Sequence, residues 1–180
     1  MKTIEISKFL SLILRHKPET VQLTLDEHGW ADIDHLLEQC ASHGYHFSKE
    51  ELFKVVAEND KQRFAIDESG SRIRASQGHT VAVDLQLAPA TPPATLYHGT
   101  VEKFLDAIRQ DGLQKMQRNH LHLSANLETA VNVGRRRGAP VILTIDSGRM
   151  HRDGFLFYLS DNGVWLTEFV PPAYISIPRQ

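Results

Sequence analysis

The sequence has almost no cysteine, since Cys40 is the single one among its 180 residues. One cysteine excludes an internal disulfide and a zinc site built from cysteines. Long apolar runs are also missing, because a stretch such as residues 9–14 is far too short to cross a bilayer. Residues 1–5 lack the apolar stretch that begins a secretory signal. We therefore expect a soluble, cytoplasmic protein with no membrane partner.

The chain carries no large excess of charge of one sign. Lys and Arg together number 20 and Asp and Glu number 22, which gives a net charge of −2. The lack of net positive charge excludes a protein that binds polyanions through its overall charge, so any phosphate or nucleic-acid site must be a local cluster. The basic clusters are residues 15–17, Lys61 with Arg63, and residues 135–137. Such runs are most often solvated surface, so the question is whether they converge.

Several familiar site motifs are absent. Neither G-x-G-x-x-G nor G-x-x-x-x-G-K-[ST] occurs, which argues against Rossmann and P-loop nucleotide sites. H-E-x-x-H and G-x-S-x-G are missing as well. His120 and His122 are two residues apart and would share one face of a strand. Without an obvious third ligand they favour packing or hydrogen bonding, so we expect no metal.

Prolines mark the boundary between two predicted domains. The segment from Pro89 to Pro93 excludes regular helix and interior strand. We therefore predict a first domain at residues 1–88 and a second at residues 89–180. The residues just before the boundary alternate like a strand, with these apolar residues on one side: Val81, Val83, Leu85 and Leu87.

Amphipathic helices are predicted in the first domain. Apolar residues recur at helical spacing from Ile6 to Leu14, and Pro18 ends that helix. Asp34 is the predicted N-cap of a second helix that ends near Gly44. A capping box over residues 48–51 opens a third helix.

A β-hairpin is predicted after these helices. Its strands are residues 63–66 and 71–74, and its turn is residues 67–70. Three helices and a hairpin form a winged helix, which is often used to hold nucleic acid. A small domain with only a packing role fits the same pattern, and the fold alone does not decide between them.

The second domain mixes short strands with helices, which indicates the α+β fold class. The predicted helices are residues 101–112 and 127–133. The last two strands flank Asn162-Gly163, a strong hairpin signal. The predicted strands are residues 95–97, 121–124, 140–145, 155–159 and 164–169.

Arginine together with histidine is the chemistry that remains. Arg15 and His16 end the first helix, where a cationic cap of the helix dipole is an equally good interpretation. Arg63 opens a strand, where a surface role would normally be favoured. Residues 135–137 lie between two glycines, a setting that suits a turn close to a ligand. Because a planar guanidinium binds phosphate through two parallel bonds, these residues suggest a phosphate site.

Blocks of sequence in a fixed order resemble the KptA-type tRNA 2′-phosphotransferase family. Any one of them alone would be weak, because a sequence such as Leu-Arg-His arises easily by chance. Together they follow the order of the family and extend from about residue 4 to 175. The blocks are Ser7–Pro18, Asp26–Trp30, Asn59–Phe64, Leu96–Thr100, His120–Ser124 and Gly163–Glu168.

The resemblance implies both an architecture and a set of catalytic residues. The family pairs an N-terminal winged-helix lobe with a C-terminal lobe of ADP-ribosyltransferase type, with the active site in the cleft between them. Carried over to this chain, the catalytic residues are Arg15, His16, Arg63 and Arg136. The last follows from the family motif V-G-[KR]-R, which matches residues 133–136. The chain departs from the family at Arg137, where histidine is common.

The resemblance also implies that NAD⁺ is consumed as a co-substrate. His98, Gly99 and Thr100 match the histidine-bearing first strand of ADP-ribosyltransferase lobes, and Ser124 matches a second NAD⁺ contact. Thr100 also fits the N-cap of the following helix, and the two roles can coexist. Glu168 lies where some ADP-ribosyltransferases carry a catalytic glutamate, but this family does not imply that role.

The implied reaction removes a 2′-phosphate from RNA, either a tRNA-like molecule from splicing or an oligonucleotide. It passes through ADP-ribosylated RNA and gives ADP-ribose 1″,2″-cyclic phosphate, nicotinamide and RNA with a 2′-hydroxyl. The resemblance implies that Arg15, His16 and Arg63 serve the RNA phosphate, and that Arg136 serves the NAD⁺ side or bridges both. No obligate protein partner is indicated.

Two alternatives stay open at this point. One is an ADP-ribosyltransferase that stops at the adduct on a nucleic-acid end or a protein. The other is a winged-helix binder of DNA or RNA without catalysis. Residues 1–80 carry 10 Lys and Arg against 13 Asp and Glu, a net charge of −3, which argues against the binder.

Overall fold

The computed structural model describes residues 1–136 and 138–178. The chain divides into two compact units, Met1–Gln86 (unit 1) and Leu87–Gln180 (unit 2). Each unit has its own cluster of buried apolar side chains. Within the described residues, none of the helices combines the length and apolar character needed to cross a membrane.

The first predicted helix is present, but its last turn is wider than an α-helix. The helix α1 spans Thr3–Ser11 and continues as a π-helical turn at Leu12–His16, after which Pro18–Val21 form a 3₁₀ turn. Pro18 starts that turn, as expected of a residue that cannot continue a helix. The apolar face is buried in the core of unit 1 through these residues: Ile6, Phe9, Leu10, Ile13 and Leu14.

The other helices of unit 1 differ in how well their starts were predicted. Ser48 caps α3 (Lys49–Glu58) through the reciprocal bonds of a capping box with Glu51, each 3.1 Å, which confirms the prediction. The cap predicted at Asp34 is wrong. Asp32, still in extended backbone, caps α2 (Ile33–Ser42), and its carboxylate accepts from the backbone N–H of His35 at 2.9 Å. Asp34 already lies inside the first turn of the helix.

The predicted hairpin of unit 1 is confirmed, and a third strand joins it. The strands β2 (Phe64–Ile66) and β3 (Arg72–Ala75) pair antiparallel, with Ile66 opposite Ile73. The short β1 (Ala31–Asp32) pairs with the other edge of β3, so β3 is the central strand.

The hairpin turn is held by one carboxylate. Asp67 accepts the guanidinium of Arg72 at 2.8 Å and the backbone N–H groups of Ser71 and Arg72. The bond from Arg72 is the main reason that the pKa of Asp67 is lowered to about 2.

The strand predicted at residues 81–87 is wrong. This segment alternates between half-buried and exposed residues, but its backbone does not join a sheet. Its N–H groups bond to single carbonyls instead, such as that of Asp84 to the carbonyl of Glu27 at 2.8 Å. Gln86 then takes a left-handed conformation, with φ of 58°. The apolar alternation therefore reflects an extended chain lying on a surface, and not a strand in a ladder.

Small antiparallel sheets and short helices make up unit 2. One sheet has the order β11-β7-β4, a second has the order β6-β9-β8, and β5 pairs with β10. The strands are β4 (Leu96–Thr100), β5 (Leu113–Gln114), β6 (Leu121–Leu123), β7 (Val141–Ile145), β8 (Phe157–Leu159), β9 (Trp165–Thr167), β10 (Phe169–Val170) and β11 (Ile175–Ser176). The helices are α4 (Leu105–Asp111), α5 (Leu127–Arg135) and α6 (Ser147–Arg152), with 3₁₀ turns at Glu102–Phe104 and Pro172–Tyr174.

Most predicted elements of unit 2 are present. The five predicted strands correspond to β4, β6, β7, β8 and β9, and α5 extends two residues beyond its predicted end. The helix predicted from Val101 is α-helical only from Leu105, after a 3₁₀ turn. The helix α6 and the two-residue strands were not predicted. Helices and antiparallel sheets in both units agree with the predicted α+β class.

Candidate functional site

Arg15 and His16 lie on the π-helical turn that ends the first helix. A π turn inserts one extra residue per turn and is often found at functional sites. The last carbonyls of a helix lack partners within it, and here the chain supplies them from elsewhere. The carbonyl of Arg15 accepts the backbone N–H groups of Thr80 at 2.9 Å and Val81 at 3.3 Å. The turn is therefore fixed by a segment 65 residues further along the chain.

The imidazole of His16 is held by the same segment. Its Nδ1 lies 3.0 Å from the hydroxyl oxygen of Thr80. That hydroxyl is also 3.5 Å from the carbonyl oxygen of Arg15. Both predicted residues of the turn therefore contact Thr80, which the sequence analysis did not identify.

His79 shows that the surroundings of this turn are strongly basic. Its side chain is buried, with 1% of its surface exposed, and its pKa is lowered to about 4. Burial is the largest cause, followed by the positive charges of Arg15, Arg74 and His16. We call Arg15, His16, Arg74 and His79 the basic cluster.

Arg74 enters the basic cluster from β3. Its side chain is buried, its guanidinium carbon lies 4.4 Å from the centre of the Trp30 ring, and its Nη1 donates to the carbonyl of His28 at 3.3 Å. A cation over an aromatic face is attracted by the ring quadrupole. This stacking stabilises a guanidinium that is removed from bulk water and lies next to other basic side chains.

The depressed pKa of His79 predicts how stability depends on pH. The ordinary pKa is 6.5 and the folded value is about 4, so between these pH values the unfolded chain binds a proton that the folded protein does not. The free energy of unfolding should fall as the pH drops from 6.5 to 4, by on the order of 3 kcal/mol in total. Urea unfolding between pH 7 and 4.5 measures this slope. The variant His79→Gln should lose most of it, and equal slopes would contradict the burial of an uncharged His79.

Arg63 directly precedes β2 and is held by the side chain of Asn59. The amide oxygen of Asn59 accepts the backbone N–H of Arg63 at 3.0 Å, and its amide nitrogen donates to the hydroxyl of Ser7 at 3.2 Å. Asn59 therefore ties the start of β2 to α1, the helix that leads to Arg15 and His16. Arg63 itself is half-buried and lines a surface pocket of ≈ 360 Å³.

The two bonds made by Asn59 can be tested separately. Asn59→Ala removes both bonds and leaves the N–H of Arg63 without this acceptor, so we expect a loss of about 2 kcal/mol in the free energy of unfolding. Ser7→Ala removes only the bond to α1 and should cost about half of that. Urea unfolding of the two variants gives both numbers. If Ser7→Ala costs as much as Asn59→Ala, the bond to Arg63 has no energetic role.

One short segment joins the three predicted residues of unit 1. The backbone N–H of Ser76 donates to the carbonyl of Arg63 at 2.8 Å, and that of Thr80 donates to the carbonyl of Arg15. Four residues of extended chain span at most about 14 Å. Arg15 at one end of this segment and Arg63 at the other are therefore tied to the same part of unit 1. We call residues 76–80 the linking segment.

The residues predicted to bind NAD⁺ lie on two neighbouring segments of unit 2. Tyr97 in β4 exchanges two backbone hydrogen bonds with Ser124, of 2.8 and 2.9 Å. Next to this pair, the ring of His98 lies 3.1 Å from the carbonyl of His122 through its Nδ1. His98 and Ser124 are therefore brought side by side, and Thr100 is buried at the end of β4.

Thr100 does not act as a helix N-cap, so that interpretation is wrong. The cap residue of the following 3₁₀ turn is Val101, and the turn has no side-chain cap. Thr100 is the last residue of β4 and pairs with Val141. Its hydroxyl is therefore held in a strand at the position that the family resemblance assigns to the NAD⁺ site.

Two glycines allow α5 to pack directly on β4. A Cβ added at Gly99 would lie 1.8 Å from the carbonyl oxygen of Ala130, and one at Gly134 would lie 3.0 Å from the carbonyl oxygen of Thr100. The missing side chain of Gly99 is therefore explained by the backbone of α5. The contact also sets the end of α5 beside the end of β4.

Arg136 follows from this packing. It is the C-cap of α5, with its N–H bonded to the carbonyl of Gly134, and it is exposed. Gly134 contacts Thr100 at the end of β4. Arg136 follows Gly134 by two residues, so its backbone lies near the strand that carries the predicted NAD⁺ contacts. Arg135 is exposed as well. Arg137 lies outside the described residues.

His120 packs against an aromatic ring, and His122 lies within hydrogen-bond distance of an arginine. The ring of His120 lies 5.6 Å from that of Tyr158, and burial is the main cause of its lowered pKa. Nη1 of Arg118 lies 2.9 Å from Nδ1 of His122. Within residues 1–136 and 138–178, no three His, Cys, Asp or Glu side chains are grouped to hold a metal. Glu168 forms an ion pair with Lys115.

Comparison with known proteins connects these residues to one family. Residues 1–169 match the family model described as "RNA 2'-phosphotransferase, Tpt1 / KptA family". A protein of Flavobacterium johnsoniae named "Probable RNA 2'-phosphotransferase" is 58% identical over 94% of this chain and 93% of its own length. Proteins with the same name from Rhodopirellula baltica and Streptomyces griseus are 56% and 55% identical, each over 97% of this chain and 96% of their own length.

Proposed function

This chain belongs to the RNA 2′-phosphotransferase family and is an enzyme of that kind, and we propose that it transfers an internal RNA 2′-phosphate to the ADP-ribose of NAD⁺. The products are nicotinamide, ADP-ribose 1″,2″-cyclic phosphate and RNA with a 2′-hydroxyl. We also propose that unit 1 is the winged-helix domain, which α1–α3 and the β2–β3 hairpin support, and that unit 2 is of ADP-ribosyltransferase type.

The basic cluster is the observation that carries the proposal. Burial is the largest cause of the lowered pKa of His79, and the positive charges of the other three members add to it, so basic side chains are concentrated here in a protein whose net charge is −2. A phosphate on RNA is a dianion with three acceptor oxygens, and guanidinium groups bind such oxygens in pairs. A site built from basic side chains on the π-helical turn, β3 and the linking segment suits that ligand.

In the first step a 2′-phosphate oxygen attacks the ribose carbon that carries nicotinamide. The new carbon–oxygen bond forms as the carbon–nitrogen bond breaks, and nicotinamide leaves with the bonding electron pair. A phosphate dianion needs no base to become a nucleophile, so the step depends on holding it close to the carbon. We assign Arg15, His16 and Arg63 to binding the RNA phosphate and, above all, to the transesterification that follows.

In the second step the neighbouring ribose hydroxyl attacks phosphorus, and the bond from phosphorus to the RNA 2′-oxygen breaks. The attacking hydroxyl loses a proton and the leaving RNA oxygen gains one. His16 is the group proposed to carry that proton. Negative charge grows on the phosphoryl oxygens in this step, where fixed guanidinium groups are worth several kcal/mol.

The NAD⁺ side is proposed to be His98, Gly99, Thr100, Ser124 and Arg136. The adjacency of β4 and the Ser124 segment supports this set, since a ribose and a carboxamide need hydroxyl and backbone partners close together. Gly99 contributes by letting α5 approach β4. Arg136, exposed at the end of α5, supplies a cation for the pyrophosphate or the reacting phosphate.

The proposed function is tested with one oligonucleotide. The purified protein is incubated with NAD⁺ and an RNA oligonucleotide that carries a single internal 2′-phosphate, and all products are followed by mass. Loss of phosphate together with ADP-ribose cyclic phosphate is the expected result. A stable ADP-ribosylated oligonucleotide would instead indicate an ADP-ribosyltransferase, and the same RNA without the 2′-phosphate is the control.

A further inference from the structure

The surface pocket of unit 1 that Arg63 borders has no assigned ligand. Side chains from α1, α3 and the residues before β2 surround its volume of ≈ 360 Å³. Sites for small molecules occupy about 300 to 1,000 Å³, so a single ring system fits a pocket of this size. Because Arg63 is assigned to the RNA phosphate, a ligand in this pocket would lie next to that phosphate.

The apolar part of the lining comes from two helices. Ile4 in α1 leaves 63% of its surface exposed, whereas Val55 in α3 is buried in the core of unit 1. A flat ring placed over Ile4 would remove apolar surface from water, which is favourable. The pocket therefore has one wall that suits the face of a ring.

A hydroxyl group in the lining suits the edge of the same ring. The hydroxyl oxygen of Ser7 accepts the amide of Asn59 at 3.2 Å. A hydroxyl group also has a proton to donate, and the ring nitrogens and carbonyl oxygens of a nucleobase accept such protons. The pocket thus combines an apolar wall with a polar group whose position is fixed by the fold.

The charges around the pocket balance one another. The carboxylates of Glu58 and Asp60 lie in the lining with the cations of Lys61 and Arg63. A lining without excess positive charge does not favour a second phosphate, because phosphate binding needs a local excess of cations. A neutral ring with polar edges, attached to a phosphate that Arg63 can bind, suits this balance.

We propose that the pocket binds a nucleobase of the RNA, within one nucleotide of the 2′-phosphate. This inference rests on the proposed function, which assigns Arg63 to that phosphate. Unpaired RNA can turn a base out of the stack and bind it separately. The base contacts are assigned to Ile4, Ser7 and Val55. A neutral ring needs no cation, so no contact is assigned to Lys61.

Oligonucleotides that each lack one base test the pocket. The parent is a fluorescent single-stranded RNA with one internal 2′-phosphate. Its three derivatives lack the base of the phosphorylated nucleotide, of its 5′ neighbour or of its 3′ neighbour. Fluorescence anisotropy without NAD⁺ measures the Kd of each RNA. We expect one derivative to bind about fivefold or more weakly than the parent, and equal binding of all four RNAs overturns the inference.

Substitutions at Ile4 place the contact in the pocket. Ile4→Ser removes the apolar wall and Ile4→Leu keeps it, while Leu156→Ala is the control at an exposed apolar residue outside the pocket. Ile4→Ser should bind the parent as weakly as the wild type binds the sensitive derivative. Because both changes remove the same contact, combining them should cause no further loss. Losses that multiply overturn the inference.

The fold of these variants is checked by circular dichroism and urea unfolding. Ile4 is mostly exposed, so each variant should unfold close to the wild type. Ile4→Thr replaces the serine variant if that variant does not fold. Ile4→Leu and Leu156→Ala should bind all four RNAs as the wild type does, and a Leu156→Ala variant as weak as Ile4→Ser overturns the inference.

Turnover separates the inference from the proposed function. At saturating NAD⁺, Ile4→Ser and loss of the sensitive base should each raise the KM for RNA by a similar factor, with kcat within about twofold, since neither change touches the groups assigned to the chemistry. Normal turnover with equal KM for all RNAs overturns the inference alone. A wild type that turns over no 2′-phosphorylated RNA refutes the proposed function, and the anisotropy result then decides whether the pocket binds a base.

Discussion

Replacing His16 or Arg63 with alanine should cause ADP-ribosylated RNA to accumulate. Both residues are assigned to the second step, in which a proton moves and charge grows on the phosphoryl oxygens. General acid–base catalysis and a fixed donor each contribute about a hundredfold or more. We therefore expect the second step to slow by about 10² to 10³, and the first step by much less. A time course of the oligonucleotide reaction, analysed by mass, measures both rates.

Each substitution has a matched control in the same unit. Lys61 is two residues from Arg63 and lines the same pocket. Lys61→Ala removes its positive charge. His43→Ala removes an exposed histidine at the C-cap of α2. Both controls should keep near wild-type rates, since neither residue is among those assigned to the RNA phosphate or to NAD⁺. Full phosphate removal by His16→Ala or Arg63→Ala would show that the assignment of the second step is wrong.

Gly99→Ala should prevent unit 2 from folding normally. A Cβ at this position would lie 1.8 Å from the carbonyl oxygen of Ala130 and 2.7 Å from the backbone nitrogen of Gly134. The position of a Cβ is fixed by its own backbone, so no side-chain rotation can relieve its clash with the backbone of α5, and α5 would have to move off β4. Overpacking that forces backbone shifts costs about 3 kcal/mol or more. The expected result is a large drop in the melting temperature and, if the proposed function holds, loss of NAD⁺ binding.

Gly154→Ala is the control for this prediction. A Cβ at Gly154 meets nothing within 4 Å, but its φ of +101° is unfavourable for alanine. It should cost about 1 kcal/mol from backbone strain alone. Thermal unfolding by circular dichroism compares the two variants. If Gly99→Ala melts at or above the temperature of Gly154→Ala, the close contact between α5 and β4 is not important for stability.

Elements with a strong local signal could be predicted from the sequence. The capping box at Ser48 and Glu51 closes within four residues, and the Asn162-Gly163 turn specifies the hairpin of β8 and β9. Predictions failed where the same local sequence pattern fits two different backbone structures. Alternation at residues 81–87 suits both a strand and an extended segment lying on a surface, and only tertiary contacts separate them. The helix α6 spans six residues, too few for a clear period.

The candidate site was predictable in part. Arg15, His16 and Arg63 stand in recognisable blocks, and their positions follow from local elements. Thr80 meets His16 across 64 residues, a contact that no spacing in the sequence encodes. Asn59 lies in a recognised block, but its two bonds depend on the approach of α1 to the start of β2. The groups that support the predicted residues therefore became visible only in the folded chain.

If the basic cluster is the proposed phosphate site, it has a consequence for the protein without substrate. The positively charged side chains packed around His79 repel one another, and that repulsion lowers the stability of the folded state until an anion binds. A dianion bound there relieves the repulsion while it forms its own bonds, so ligand affinity and folding stability are coupled. Sulfate or phosphate in a buffer should thus make the enzyme more heat-resistant and slower at the same time.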